Sequence, residues 1–361
     1  MAAKGFFPSK LAFRTREKVL ASLDHTGLED DPDRLICLPL DQLGQILRSH
    51  LQKQPTVRLL WDHEVTDIKD DGGFGVVTVT TPDGPKELRA RFVVGCDGAN
   101  SKIRRLLFGD WEFPGKTWDV QVVATNVSIA SNPNTCFQAA TSGVNQYIQV
   151  YYDFHQFGYE DANFIIHPEH WYMASKITMD GMWRVSYGAP SGLTKDELRE
   201  QLPEKWRHML PGRPSPDDYR ITNFSPYKVH QRLAESMRVG PFLLAADAAH
   251  LCNPFGGLGL TGGIVDVGGL VDCLIGIYKG KADDNILDIY SKVRREKYRQ
   301  FVDPISSANL IRMYDEDPNT VLQRDEALQM MKSIGNDPAK RKALIDGINV
   351  INYDFTQQYH N

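Results

Sequence analysis

The sequence predicts an α/β fold in which a domain of strands and helices is interrupted by a mostly antiparallel β domain and followed by helices. Three observations predict it. Two short apolar runs, ARFVVG at 90–95 and PFLLAA at 241–246, read as buried strands, and each is followed by a turn and then a helical pattern. Between them, from about 119 to 190, segments rich in Val, Tyr, Ile and Trp alternate with polar residues, as half-buried antiparallel strands do. Beyond 283 the pattern is helical to about 350.

Taken in order, the first 33 residues carry no clear period. Arg34 to Leu38 (RLICL) reads as a short strand, and Leu43, Leu47 and Leu51 then recur at helical spacing. Strands are expected at 57–60, 62–69 and 74–81, with turn signals at Asp71-Gly72-Gly73 and Pro82-Asp83-Gly84. Ser101 to Phe108 reads as a helix. The β-rich stretch contains VQVVATNVSI, QYIQVYYDF, NFIIHP, WYMASKI and WRVSYG. Thr194-Lys195-Asp196-Glu197 is a capping-box pattern that opens a helix. Residues 219–230 form a returning strand, and Thr261 to Tyr278 a helix. The domains expected are 1–118 with 238–280, then 119–237 as the insert, then a helical segment at 281–361.

Composition narrows the function. The formal net charge is −5 and no basic block occurs, so nucleic acid is a poor partner. Cys37, Cys96, Cys136, Cys252 and Cys273 are scattered, odd in number and without C-x-x-C spacing, which fits buried free thiols and no metal site. No apolar run approaches the ~18 residues of a membrane span, and the first residues lack the apolar core of a signal peptide. The expectation is a cytoplasmic protein with a small-molecule substrate.

Residues 254–263 read PFGGLGLTGG, and 257–262 spell G-x-G-x-x-G. The dinucleotide fingerprint needs a strand just before it and an acidic residue at the end of a second strand about 20 positions on. Here ten residues separate the strand from the glycines, and Asp283 and Asp284 fall in a helical stretch. The letters match and the context fails. A helix opening near Thr261 nevertheless offers unpaired N–H groups and a positive dipole end.

The whole segment FLLAADAAHLCNPFGGLGLTGG resembles the second flavin-binding motif of the group A FAD-dependent monooxygenases, the para-hydroxybenzoate hydroxylase-like superfamily. The resemblance implies that Asp247 bonds the ribityl chain of FAD and that Pro254 lies beside the flavin ring. It further implies that Gly257 and Gly259 let the backbone approach the ring, and that Leu260 and Thr261 meet its pyrimidine edge. Val93 to Arg104 (VVGCDGANSKIR) resembles the same family's middle motif, which implies Asp97 near the FAD pyrophosphate; Arg104 and Arg105 are candidates for phosphate. Two further stretches, 180–185 (DGMWRV) and 225–232 (SPYKVHQR), look like fungal secondary-metabolism members. They make Tyr227, His230 and Arg232 weak candidates for a catalytic or substrate role, with an ordinary cross-strand pairing as the other reading.

The resemblance runs from about 30 to about 315. Members begin with a strand, G-x-G-x-x-G, a helix and a second strand; the first 60 residues here contain no G-x-G. Leu40 stands where members place Arg or Gln, and Ala246 where they place Gly. The fold implied is therefore an incomplete Rossmann-like FAD-binding domain interrupted by an antiparallel β substrate domain. The function implied is an FAD-dependent monooxygenase that uses NAD(P)H and O2 on an aromatic or polyketide-like small molecule, in secondary metabolite biosynthesis. The alternative is a degenerate, non-catalytic homologue that binds a hydrophobic metabolite or a partner subunit.

Overall fold

A computed structural model of the chain describes residues 4–28, 30–31, 34–110, 112–130, 150–335 and 337–360. In chain order it begins with β1 (Lys10–Arg14), β2 (Val19–Asp24), α1 (Leu40–Leu51), β3 (Glu64–Asp71), β4 (Phe74–Thr81), β5 (Gly84–Ala90), β6 (Val93–Gly95) and α2 (Lys102–Phe108). Next come β7 (Gly115–Ala130), β8 (Val150–Tyr151), β9 (Ala162–Ile165), β10 (Tyr172–Lys176), β11 (Trp183–Pro190), α3 (Lys195–Met209) and β12 (Arg220–Leu233). The last part holds β13 (Arg238–Val239), β14 (Phe242–Leu244), β15 (His250–Leu251), α4 (Leu258–Tyr278) and α5 (Ile286–Lys297). A turn of π-helix leads on to α6 (Asp303–Met313), α7 (Val321–Arg324), α8 (Glu326–Ile334) and α9 (Pro338–Asp346). The mixed α/β class is as the sequence predicts.

The chain divides into two compact units. The first contains residues 1–57, 119–228 and 311–347. Its sheet runs β12, β7, β11, β10, β9, β1, β2. Pairing is antiparallel from β7 through β9 and between β1 and β2, but β1 lies parallel to β9, with Leu11 opposite Ala162. The core on this sheet is aromatic: Trp183, Trp206, Tyr172 and Phe154 are fully buried. Helix α3 covers it with Leu198, Leu202, Trp206 and Met209, one stripe at helical spacing. The expected capping box is present: Thr194 Oγ1 accepts from Glu197 N, and Glu197 Oε2 accepts from Thr194 N at 2.7 Å.

The second unit contains 58–118, 229–310 and 348–361. It holds an antiparallel β3-β4-β5 sheet and a small sheet in the order β13, β14, β6, in which β14 and β6 are parallel. Its core gathers Ile103, Leu243, Leu244, Leu270, Cys273, Leu287, Tyr290 and Phe355. The last helical stretch of the chain is thus shared: 311–347 belongs to the first unit and 348–361 to the second.

Several expectations need correction. Strands β1 and β2 occupy the stretch read as patternless; they are short, and their partner β9 is far away in sequence. RLICL forms only an isolated bridge between Phe6 and Cys37, and 57–60 forms no strand. Strand β5 was not expected. Residues 146–149 of QYIQVYYDF, and Cys136, lie outside the described residues. The other four cysteines are free, but Cys96 is exposed rather than buried. Helix α4, 21 residues with a mean hydropathy of 1.7, is long and apolar enough to cross a membrane by length and composition alone. The sequence reading missed this because glycines and Asp266 interrupt every unbroken apolar run. One side of α4 packs into the second unit through Gly262, Gly269, Leu270, Cys273 and Gly276, while Leu260, Ile264, Val267, Val271 and Ile275 on the other side are exposed.

Candidate functional site

The site lies in the second unit and starts from two adjacent parallel strands. Leu244 of β14 sits opposite Gly95 of β6, and Ala245 N donates to Gly95 O at 3.1 Å. Ligands of open parallel sheets bind beyond the carboxyl ends of the strands. Both loops singled out in the sequence, 96–101 and 246–250, leave from those ends.

The first loop is occupied with its own structure. Asp97 Oδ1 accepts from Ser101 Oγ at 2.5 Å, while Oδ2 accepts from the N–H groups of Lys102 and Ile103 at 2.7 and 3.1 Å. The carboxylate therefore caps α2. Arg104 is buried and donates to Ala99 O and Ala248 O at 2.9 and 3.0 Å, with its guanidinium 3.7 Å from the centre of the Phe113 ring. It braces the first loop against the second, so its donors are not directed at a phosphate. Arg105 donates to Ser101 O within the same helix.

The second loop is open. Ala246-Asp247-Ala248 makes a single 3-10 turn. Ala246 has φ +56°, the left-handed region that glycine adopts without strain. Asp247 is exposed, and among the described residues nothing hydrogen-bonds its carboxylate. Partial desolvation pushes that carboxyl up, and His250 opposes the shift. Asn253 then caps the Pro254–Gly256 turn through Phe255 N, and Gly257 (φ +63°) reverses the chain into α4. The helix begins at Leu258, three residues earlier than expected. No side chain caps it, because the N-cap is Gly257. A Cβ built at Gly257 meets nothing within 4 Å, and one at Gly259 meets only Cys252 Sγ at 3.9 Å. Leu260 is half exposed, and Thr261 turns its hydroxyl back to Gly257 O at 3.1 Å. The result is an uncapped helix N-terminus behind open backbone, preceded in the same unit by a carboxylate to which no group among the described residues donates a hydrogen bond.

Sequence reasoning missed the group that holds this together. Asp266, fully buried in the middle of α4, accepts from Arg294 Nε and from His250 Nε2, each at 2.6 Å, and from Ala246 N at 3.0 Å. Burial pushes its carboxyl up, but His250 and Arg294 outweigh that and hold it below the usual range. The available signal was a lone acid inside an otherwise apolar helix, since such a charge needs a partner.

The weaker candidates do not converge on one point. His230 Nδ1 and Arg232 Nη2 both bond Thr117 Oγ1 at 3.0 Å, and Arg232 also donates to Phe113 O. These are ordinary cross-strand ties. Tyr227 belongs to the first unit, where burial pushes its phenol up to about 12. Leu40 opens α1 with its side chain exposed.

An exposed carboxylate, an uncapped helix end and glycines that leave the backbone bare give the second unit donors and an acceptor that could hold a ligand bearing hydroxyls and negative charge. The chain belongs to the FAD binding domain family, whose pattern matches residues 7–304. It is 36% identical over 332 residues to the para-nitrophenol 4-monooxygenase of a Pseudomonas species, which is 91% of this chain and 75% of that one. Identity to the 6-hydroxy-3-succinoylpyridine 3-monooxygenase of Pseudomonas putida is 30%, over 82% of this chain and 69% of that one. The crystal structure of a Pseudomonas putida p-nitrophenol 4-monooxygenase superposes with a TM-score of 0.82 at 33% identity, covering 97% of this chain and 82% of that one. These relatives are monooxygenases by name, and the family is that of an FAD-binding domain. They are bacterial, and the fungal type expected from 180–185 and 225–232 is not shown by them.

Proposed function

We propose that the chain is an FAD-dependent monooxygenase that takes electrons from NAD(P)H and transfers one oxygen atom of O2 to a small hydroxylated aromatic ring. The observation that carries this reading is the unpartnered Asp247 carboxylate in the same unit as the uncapped N-terminus of α4, in a chain more than a third identical to a phenol monooxygenase. FAD, when bound, supplies the redox and oxygen-transfer chemistry. Asp247 accepts hydrogen bonds from the cofactor's ribityl hydroxyls. The N–H groups that open α4, from Leu258 onward, stabilise negative charge on the pyrimidine edge. Pro254, Gly257 and Gly259 keep side chains clear of the ring. On this reading the second unit is the cofactor domain and the first unit the substrate domain, whose aromatic residues suit an aromatic ligand. Asp97 and Arg104 support the site by bracing its loops.

The substrate class follows the two relatives at 30% identity or more that the chain covers over two thirds of their length, whose names specify a nitrophenol and a hydroxypyridine. A polyketide-like ring of secondary metabolism is the second class to assay. One observation favours the non-catalytic alternative: Ala246 occupies a left-handed position, which strains the turn that carries Asp247. The experiment is direct. Purified protein is titrated with FAD, then mixed with NADH or NADPH, O2 and para-nitrophenol. The reading expects near-equimolar yellow protein, substrate-stimulated NAD(P)H oxidation with O2 consumption, and an oxygenated product. Colourless protein that FAD does not saturate overturns it in favour of the binding-only alternative. NAD(P)H oxidation without oxygenated product from either substrate class indicates a reductase instead.

A further inference from the structure

We propose that Asp266 is the positioning residue of the flavin seat: from the middle of α4 it clamps the turn that carries Asp247 and so fixes that carboxylate relative to the helix N-terminus. This inference deepens the flavin reading and rests on it. Asp266 lies on the same helix whose first turn forms the other half of the seat, so a bond from it to the Asp247 turn sets the spacing of the two halves. That bond is present: Ala246 N, immediately before Asp247, donates to Asp266 Oδ2 at 3.0 Å. Packing supports it from the same side. A Cβ built at Gly263 falls 2.7 Å from the Ala246 Cβ, so only glycine there lets the helix come this close to the turn.

The clamp is held at both carboxylate oxygens, which together accept three hydrogen bonds. Oδ2 also receives His250 Nε2, which ties the strand just after Asp247, and Oδ1 receives Arg294 Nε. Arg294 in turn donates to Ile351 O at 2.5 Å and joins the end of the second unit to the same carboxylate. Asp266, His250 and Arg294 are all at least 95% buried. A charge-assisted bond at that depth also compensates Ala246 for its left-handed backbone. Asp266 touches no part of the open site itself; it acts through Ala246 and His250.

The test uses the full chain. Asp266→Asn leaves one acceptor oxygen for three donors, so one of the ties is lost. The expected result is a folded protein by circular dichroism whose FAD dissociation constant, read by flavin fluorescence titration, rises about tenfold or more. Hydrogen exchange of the Ala246 amide, measured without flavin, is expected to accelerate at the same time. Adding Ala246→Gly removes the backbone strain and is expected to recover a good part of the lost affinity. Should Asp266→Asn fail to fold, Asp266→Leu with Arg294→Met removes both buried charges together and takes its place. The proposal is overturned by an unchanged dissociation constant in the folded variant, or by a weakened one that Ala246→Gly does not improve. Wild-type protein that binds no FAD overturns the flavin reading and this inference with it; wild type that binds FAD as tightly as the variant overturns this inference alone.

Discussion

Ala246 and Asp97 show how single residues divide between strain and support. Ala246 sits at φ +56°, where a Cβ costs on the order of 1 kcal/mol. Ala246→Gly is expected to raise thermal stability by up to about 1 kcal/mol, a shift of a few degrees at most, because glycine's extra unfolded-state freedom offsets part of the relief. A melting point below wild type in scanning calorimetry contradicts this. Asp97→Ala removes three hydrogen bonds at the start of α2 and is expected to cost about 1–2 kcal/mol in urea unfolding, with or without FAD. If the loss appears only with FAD present, Asp97 contacts the cofactor rather than capping the helix. Asp247 was singled out because the residues around it stand in an ordered motif. The engagement of Asp97 and Arg104 was not, because their partners Ser101, Ala99 and Ala248 satisfy them only after two strands have paired. Asp266 was the harder case: its two side-chain partners lie 16 and 28 residues away, with no motif to join them.

At the scale of elements, α4 is the organising piece. Gly262, Gly269 and Gly276 recur every seven residues on its buried side, and the neighbouring Gly263 receives the Ala246 turn. A Cβ at Gly269 would stand 2.5 Å from the Phe355 ring, and one at Gly276 2.5 Å from Tyr359. Gly269→Ala is therefore expected to destabilise the second unit by about 1–3 kcal/mol through overpacking. Gly268→Ala, one position away with nothing within 4 Å, is expected to be neutral or slightly stabilising. Equal melting points for the two variants contradict the packing argument. Elements with a strong period or a cap, such as α1 and α3, were readable to within a few residues. Strands β1 and β2 were not, because their five and six residues gain meaning only from β9, about 150 positions along the chain. The start of α4 was misplaced because a glycine N-cap leaves no side-chain signature.

For the molecule as a whole, acid is the informative perturbation. Burial pushes the His170 imidazole down to about 4 from 6.5, with Lys205 and His167 adding to the shift. Between those values the unfolded chain takes up a proton that the folded chain refuses, so stability falls as pH drops from 6.5 towards 4. Asp266 adds a second loss at lower pH. Its folded carboxyl lies below 3.8, so its contribution is intact above that value and disappears as pH falls through the depressed one. Urea midpoints measured across this range are expected to decline steadily; a flat profile down to pH 4 contradicts the His170 assignment. If FAD occupies the second unit, saturation at about 100 times its dissociation constant adds about 2.7 kcal/mol. Slowed hydrogen exchange is then expected over 242–266 and not over 183–209. The end of the chain carries a last consequence. Phe355 is fully buried on α4, Tyr359 Oη donates to Asp272 O, and His360 N donates to Lys281 O. These residues follow α4 off the ribosome by roughly 4–16 seconds at ordinary rates of synthesis. During synthesis the nascent chain must hold a long oily helix with its glycine grooves still empty, so the protein's yield in a cell depends on how well chaperones shield that helix until residues 355–360 have emerged.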